Sequence, residues 1–390
     1  MGLFVLIVAF SYSIFFIVQR GFGLPTNGPM FQIYSAILAI LSVLIYAFSF
    51  KKIPLRTNIA TFLICSFVAV LYFATRVFYG YTNPRYQTYF LSMGVHFIPA
   101  ILVAVAVVSD RDIWKKVEMA MPTFILLYTL ILANVVFTAK QGLNVSQTFN
   151  QGGLTYQSIS YYSIFAFGLT MYLIANKSYS GWMRMVLIGL AVLQFAMSIM
   201  AGGRGAFVLG IVFLFYFGMK RLSFWKLLQY SIILLVAGYA IQMAFANDGI
   251  FNQGFDRIFN FFSESNAIDT DQRWVRWHLA YEAFLRSPII GHGLGSVFYE
   301  VGFYSHNIFT DLLCEGGILL GGIFVYCLVL FLKKSRQLIR ADYRYEIIII
   351  IFLCSFIMCC FSGYYLDDSG MWLALACVLC QGKEVYTLQK

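Results

Sequence analysis

Residues 305–322, SHNIFTDLLCEGGILLGG, place four chemically capable polar side chains at the start of an apolar run: His306, Asn307, Asp311 and Glu315. At the helical spacing of about 100° per residue, the last three of them lie within an arc of about 80°. His306 would lie in the first helical turn, where the helix dipole favours the neutral imidazole that a general base requires. The stretch therefore predicts a cluster of polar, chemically competent side chains at the start of a hydrophobic helix.

The same stretch also carries small residues at helical spacing. Thr310, Gly317 and Gly321 lie within an arc of about 40° on the predicted helix. Such a stripe lets two membrane helices approach closely. Ser305 is a suitable N-cap, although residue 308 is not the Glu or Gln that would complete a capping box. We therefore expect the glycines to serve helix packing and not to hold a phosphate.

Outward from this stretch, the chain is too apolar for a soluble protein. Of its 390 residues, 61% are hydrophobic and 11% are charged, whereas soluble domains carry about 25% charged residues. A membrane-spanning helix needs about 20 apolar residues, so the sequence predicts an all-α, polytopic transmembrane helical bundle of about twelve spans. The predicted spans are 2–18, 30–50, 59–79, 88–109, 119–138, 158–175, 185–200, 205–218, 227–245, 306–332, 345–362 and 371–381.

The distribution of Lys and Arg orients the predicted bundle. Most of the 27 basic residues fall on alternate loops, which the positive-inside rule assigns to the cytoplasm together with both termini. The net charge of +10 therefore reports topology, and we expect no nucleic-acid partner. The eight cysteines lie in apolar runs and are expected to pack as buried thiols.

One connection is much longer than the others. Residues 246–305 form a predicted outside loop of roughly 60 residues, a length that usually indicates function. The loop separates N-terminal transmembrane helices, 1–245, from C-terminal ones, 306–390. We expect all three segments to belong to one integral membrane domain. A second polar outside loop is predicted at 139–157.

The long loop contains RWVRWHLAYEAFLRSP, residues 273–288, which predicts an amphipathic helix ended by a proline. One face carries residues spaced by three or four, namely Trp274, Trp277, Tyr281, Phe284 and Leu285. Arg273 and Arg276 lie off that face. The helix either lies on the membrane with its arginines on lipid phosphates, or presents them to a phosphorylated substrate, which the planar guanidinium suits.

Two glycine-rich stretches lie on either side of this helix. MAGGRGAF, residues 200–207, places Arg204 at a predicted outer boundary, where a charge indicates function unless the side chain only snorkels from a helix end. PIIGHGLGS, residues 288–296, follows a helix and no strand, so it predicts a tight turn back to the membrane and not a dinucleotide site. Asp269 and Asp271 form a D-x-D pair that could hold a divalent cation, but a solvated turn is the favoured interpretation.

Taken in order, three of these stretches resemble the O-antigen polymerase and O-antigen ligase family. They are GGRGAF, then RWVRWHLAYEAFLRSPIIGHGLG, then SHNIFTDLLCEGGILLGG, across residues 200–322. The first 200 residues resemble the family only in hydropathy. One departure is Gly203, where many members carry Ser, so that no hydroxyl precedes Arg204.

The resemblance implies a metal-independent glycosyltransferase of the GT-C type in the bacterial inner membrane, with its site facing the periplasm and no cofactor. His306 would deprotonate the acceptor sugar, and Arg204 and Arg273 would bind the donor diphosphate, with Arg276 as a further candidate. Glu315 would either orient the site or hold the start of the helix. Its expected partners are an undecaprenyl-diphosphate-linked oligosaccharide, membrane lipid and a chain-length regulator protein.

The reaction partner distinguishes the members of this family. A polymerase joins the glycan to another lipid-linked repeat unit, whereas a ligase transfers it to lipid A core. The His-Asn motif and the aromatic-rich, weakly charged chain favour O-antigen polymerase, with capsule polymerases still open. A flippase for a polyprenyl-linked glycan is the alternative of another class, but it would place charges near the bilayer midplane and show internal repeats.

Overall fold

The structure is a computed structural model that describes residues 1–24, 30–80, 96–110, 112–139, 156–220, 225 and 272–381. Its elements in these ranges are α-helices with a few short 3₁₀ turns, which confirms the all-α prediction. The helices are α1 (Gly2–Ala9), α2 (Ser11–Gly21), α3 (Met30–Ser49), α4 (Leu55–Tyr79), α5 (Ile98–Val108), α6 (Ile113–Ala139), α7 (Tyr156–Asn176), α8 (Gly181–Ala201), α9 (Arg204–Met219), α10 (Gln272–Arg286), α11 (Val297–Glu300), α12 (Ile308–Ala341), α13 (Glu346–Phe361) and α14 (Ser369–Cys380).

Within the described ranges, seven helices are long and apolar enough to cross a membrane, and the pair α1 and α2, bent by 83°, adds an eighth if it is one broken span. Three shorter apolar helices are α5, α9 and α14. Each predicted span coincides at least in part with a helix, except 227–245, which lies outside the described residues. The protein is thus a multi-pass membrane protein.

The chain divides into two compact units, which we describe separately. The first comprises segments Met1–Tyr12, Pro29–Val117 and Asn266–Lys390. Its interior holds α5 and α14, which pack on each other. Most side chains of both helices are buried, as expected of a helix that is apolar on all sides. The expected division at 245 and 305 stays a prediction.

The second unit comprises Ser13–Gly28 and Glu118–Ser265. Its central helix, α7, packs against α8 and α9 and is buried over most of its length. Glu118 is buried beside it and is held by the Tyr172 hydroxyl at 2.7 Å and the Lys177 ammonium at 2.6 Å. This pairing offsets the cost of burying a carboxylate.

Helix α12 is broken near its start, at Gly317. The backbone of Gly317 has φ 60° and ψ −158°, values that are accessible only to glycine. A β-carbon at this position would also overlap the Ile289 carbonyl. The predicted stripe of Thr310, Gly317 and Gly321 on one continuous helix is therefore wrong, because the helical repeat is interrupted between them.

The glycine turn, residues 288–293, follows α10 and forms hydrogen bonds with the backbone at this break. In an unbroken helix, the amides of Ile318 and Leu319 would bond to the carbonyls four residues earlier. Here those amides donate to the carbonyls of Pro288 (2.8 Å) and Ile289 (3.2 Å). The carbonyls that they leave belong to Cys314 and Glu315. They accept from the amides of His292 (3.0 Å) and Gly293 (2.7 Å).

The turn therefore replaces two helical hydrogen bonds with four bonds of its own. Its glycines permit the close approach, since Gly291 has φ 64° and a β-carbon there would overlap the backbone at Glu315. The tight turn predicted for residues 288–296 is confirmed. The sequence pattern did not predict that this turn would bond to α12.

Substitution of Gly317 should destabilise the protein. Gly317→Ala forces a side chain into a glycine-only conformation and against a carbonyl, at a cost of about 1–3 kcal/mol. Gly322→Ala is the matched control, because a β-carbon at that helical position meets open space. Thermal unfolding of both variants in detergent measures the difference. Equal melting temperatures for the two variants would contradict the broken-helix geometry.

Candidate functional site

His306 lies in a turn immediately before α12 and not in its first helical turn, as the sequence suggested. The helix begins at Ile308, and Asn307 is its N-cap, with its side chain accepting from the Phe309 amide at 2.9 Å. Ser305 is therefore not the cap. His306 has φ 66° and is the one non-glycine residue with positive φ among the described residues. Such a backbone in a histidine is uncommon and must be held by its surroundings.

The residues on either side of His306 are fixed by hydrogen bonds. The Ser305 amide donates to Oδ1 of Asp311 at 2.8 Å. The Ser305 hydroxyl bonds to the Thr310 hydroxyl at 2.6 Å and to the Asn307 carbonyl at 3.1 Å. The first turn of α12 thus holds the backbone from Ser305 to Asn307, and the imidazole projects from a fixed loop.

Arg276 meets His306 directly. Its Nη1 lies 2.5 Å from Nε2 of the imidazole, and its guanidinium lies over the Phe303 ring at 5.0 Å. A guanidinium only donates hydrogen bonds, so Nε2 accepts here. The neutral ring then carries its proton on Nδ1. The stacking on Phe303 holds the guanidinium in place beside the histidine.

The orientation of α10 explains this contact. Arg276 shares a helical face with Ala280 and Ala283, which are fully buried, and α10 packs on α12. Arg273, one turn earlier, is half-buried on the same side. Trp274, by contrast, is half exposed. The arginines therefore lie on the side of α10 that packs against the protein and not on its exposed side.

A tyrosine ring packs against the imidazole of His306. The Tyr304 ring stands edge-on to His306 with centroids 4.5 Å apart, and its hydroxyl donates to the Ser362 carbonyl at 3.1 Å. Burial raises the pKa of Tyr304 well above its usual range, so this hydroxyl keeps its proton at neutral pH. Tyr304 thus connects the histidine turn to the segment between α13 and α14.

Glu315 lies deeper in the same unit, where it is 1% exposed. Its carboxylate accepts from the hydroxyls of Tyr364, at 2.9 Å, and Tyr365. Burial raises the pKa of both tyrosines well above the usual value, so both remain donors. These contacts favour the interpretation that Glu315 orients the site by joining α12 to the 364–365 turn. A direct catalytic role for it stays a prediction.

Arg204 belongs to the second unit. It is the first residue of α9 and is exposed, after Gly203 as N-cap and Gly202 in the left-handed conformation. A β-carbon at Gly203 would lie 2.5 Å from Cβ of Ser160 and 2.6 Å from its hydroxyl oxygen. The Ser160 hydroxyl therefore fills the place that a side chain at position 203 would take.

Of the predicted site residues, the structure brings Arg276 and His306 into contact. Three further residues of the site, Tyr304, Tyr364 and Tyr365, were not predicted from the sequence motifs. A signal for the last two existed, since the short loop after α13 is expected on the same membrane side as the start of α12. Within the described ranges, no three His, Cys, Asp or Glu residues are grouped as metal ligands. The pair at residues 269 and 271 lies outside those ranges.

If Glu315 joins α12 to the turn at residues 364–365, removing its carboxylate should destabilise the protein. Glu315→Leu leaves two buried hydroxyls unpaired, at about 1–3 kcal/mol each. Adding Tyr364→Phe and Tyr365→Phe should recover part of this loss, because donors and acceptor then disappear together. Thermal unfolding measures both effects, with the exposed Tyr326→Phe as control. No recovery in the triple variant would exclude the tyrosine contacts as the cause.

The comparison with known families covers this site. Residues 189–325 match the family model described as O-Antigen ligase, a stretch that contains Arg204, Arg276, His306 and Glu315. A search of curated proteins found no relative that matches the chain. The family match confirms the resemblance drawn from the sequence motifs. Residues 189–325 are therefore similar to the O-antigen ligase/polymerase family, a class of glycosyltransferase-like membrane enzymes.

Proposed function

We propose that the protein is an O-antigen polymerase. It would join a glycan carried on undecaprenyl diphosphate to another lipid-linked repeat unit, at the periplasmic side of the bacterial inner membrane. The observation that carries this proposal is the contact between Arg276 and His306, at the junction of a helix outside the spans with the start of α12. A proton acceptor beside a phosphate-binding cation is what this transfer needs.

The reaction requires one proton transfer and one displacement. The acceptor hydroxyl oxygen attacks the anomeric carbon of the donor sugar while His306 takes the hydroxyl proton. The bond between that carbon and the diphosphate oxygen breaks, and its electron pair leaves with undecaprenyl diphosphate. Arg273 stabilises the charge that grows on this leaving group, since a preorganised guanidinium group suits a developing oxyanion. The same role for Arg204, in the second unit, stays a prediction from the sequence motifs.

Arg276 has two competing partners in this scheme. In the structure its guanidinium faces Nε2 of His306 and so occupies the lone pair that would accept the proton. A diphosphate offers more negative charge and better bidentate geometry. Donor binding would draw Arg276 to the diphosphate and free Nε2. The base would then become available only when a donor is in place.

The surroundings of the site fit a lipid-borne substrate. His306 lies at the end of an apolar span, where a polyprenyl chain can remain in the bilayer while its diphosphate reaches the arginines. The donor carries its own activation, so no nucleotide or other cofactor is needed. The periplasmic face, the undecaprenyl carrier and a chain-length regulator partner are parts of this proposal.

The two alternative functions are O-antigen ligase and a flippase. O-antigen ligase uses the same donor and the same chemistry, and the family match fits it equally well. The acceptor decides between them. A flippase would require no base, so it leaves the pairing of Arg276 with His306 without a purpose.

Purified protein supplied with a lipid-linked repeat unit alone, without lipid A core, should form a ladder of products. His306→Ala should lower the rate by about 10²–10⁴-fold, the usual contribution of a general base. Arg204→Ala should also abolish extension while the protein remains folded. His278→Ala is the matched control, because this histidine on α10 is exposed and pairs only with Glu282 among the described acidic residues.

The outcomes separate the functions. Transfer that appears only after lipid A core is added would identify a ligase. Normal ladders from His306→Ala would exclude the assigned base. Movement of the lipid-linked unit from one leaflet of a vesicle membrane to the other, without any new glycosidic bond, would identify a flippase.

A chelator should leave the reaction unchanged. The transfer relies on guanidinium groups for the diphosphate, so ethylenediaminetetraacetate at millimolar concentration is expected to have no effect on ladder formation. The measurement also tests the D-x-D pair, Asp269 and Asp271. Loss of activity that Mg²⁺ or Mn²⁺ restores would contradict the arginine-based scheme.

A further inference from the structure

We propose that Asp311 is the positioning residue for His306. It holds the Ser305 amide and thereby keeps His306 in the left-handed turn that presents its imidazole to Arg276. This inference rests on the proposed function, in which His306 is the base. Asp311 itself would touch neither substrate.

The first support is the burial of Asp311 and its bonding. The residue is fully buried, and its Oδ1 accepts from the Ser305 amide at 2.8 Å. Its second oxygen, Oδ2, is also buried and accepts no hydrogen bond from the part of the chain that the structure describes. A buried carboxyl group costs free energy unless it is hydrogen-bonded. Ser305 is thus the residue whose contacts account for an acid at this position.

The second support is the backbone of the residue that Asp311 anchors indirectly. His306 has φ 66°, which an L side chain rarely adopts. Its two neighbours are both fixed to the first turn of α12. Ser305 is held by Asp311 and Thr310, and Asn307 is held as the N-cap. Release of Ser305 would let His306 relax to an ordinary conformation and turn the ring away from Arg276.

Helix capping does not explain Asp311. The cap of α12 is Asn307, whose side chain already accepts from the Phe309 amide. Asp311 instead reaches back six residues to an amide outside the helix. Glu315, the other carboxylate on this face, bonds to Tyr364 and Tyr365. The two acids of the motif therefore hold different segments, and Asp311 is the one bound next to the histidine.

The test compares variants that keep or remove the acceptor oxygen. Asp311→Asn keeps an oxygen for the Ser305 amide, whereas Asp311→Ala removes it. Asp368→Ala is the matched control, because Asp368 is also buried and its Oδ1 accepts the Met371 amide at 2.9 Å. Rates are measured on the full-length protein with lipid-linked repeat units and normalised to the folded fraction.

Asp311→Ala should lower kcat by about 10- to 100-fold, because a displaced base loses its alignment. The donor KM should stay within about twofold, since the diphosphate-binding arginines are unchanged. Asp311→Asn should retain kcat within about threefold of the wild type. Asp368→Ala should lower the melting temperature but leave kcat unchanged. If Asp311→Ala does not fold, Asp311→Ser, whose hydroxyl is too short to reach the amide, should show the same loss in kcat.

An unchanged kcat in Asp311→Ala or Asp311→Ser would overturn the inference. So would an Asn variant as slow as the Ala variant, because the carboxylate charge and not the anchored amide would then matter. Either result leaves the proposed function intact if His306→Ala is inactive. Absence of any ladder from the wild-type protein, or a normal ladder from His306→Ala, would instead overturn the proposed function.

Discussion

The hydrogen bonds between the glycine turn and the break in α12 are the interaction on which the site depends. A membrane-spanning helix that loses intrahelical hydrogen bonds leaves free amides and carbonyls in an apolar environment. Only other groups of the protein can form hydrogen bonds to them there. The turn at residues 288–293 supplies all four partners. Because α10 ends directly before this turn, the same bonds fix the end of α10 against α12. Arg276 is thereby brought to His306, which lies at the start of the same helix, before the break at Gly317.

The composition was sufficient to predict the architecture. Hydropathy alone placed most of the spans, because a helix in lipid must be apolar over its whole length. The site was predicted less completely. The pattern identified His306 and Arg276 as candidates but placed His306 inside the helix. Ser305 and Asn307 are both good caps, and contacts with the first turns of α12 decide between them, since the Ser305 amide bonds to Asp311 and the Asn307 side chain accepts from Phe309.

The break in α12 could not be predicted, since consecutive glycines in a span also suit close helix packing. The turn that stabilises the break lies more than 20 residues earlier in the chain, and only the folded structure shows that the two meet. The role of Glu315 was hidden for the same reason. Tyr364 and Tyr365 follow another span, and a single sequence does not show which buried hydroxyl reaches which carboxylate.

The contact between Arg276 and His306 should couple the two residues in the reaction, and a double-mutant cycle in kcat/KM measures this coupling. The four proteins are the wild type, Arg276→Ala, His306→Ala and the double variant, assayed on lipid-linked repeat units. If the contact couples the two residues, the loss in the double variant should be smaller than the product of the two single losses. Effects that multiply would show that the two residues act independently, and would contradict the account.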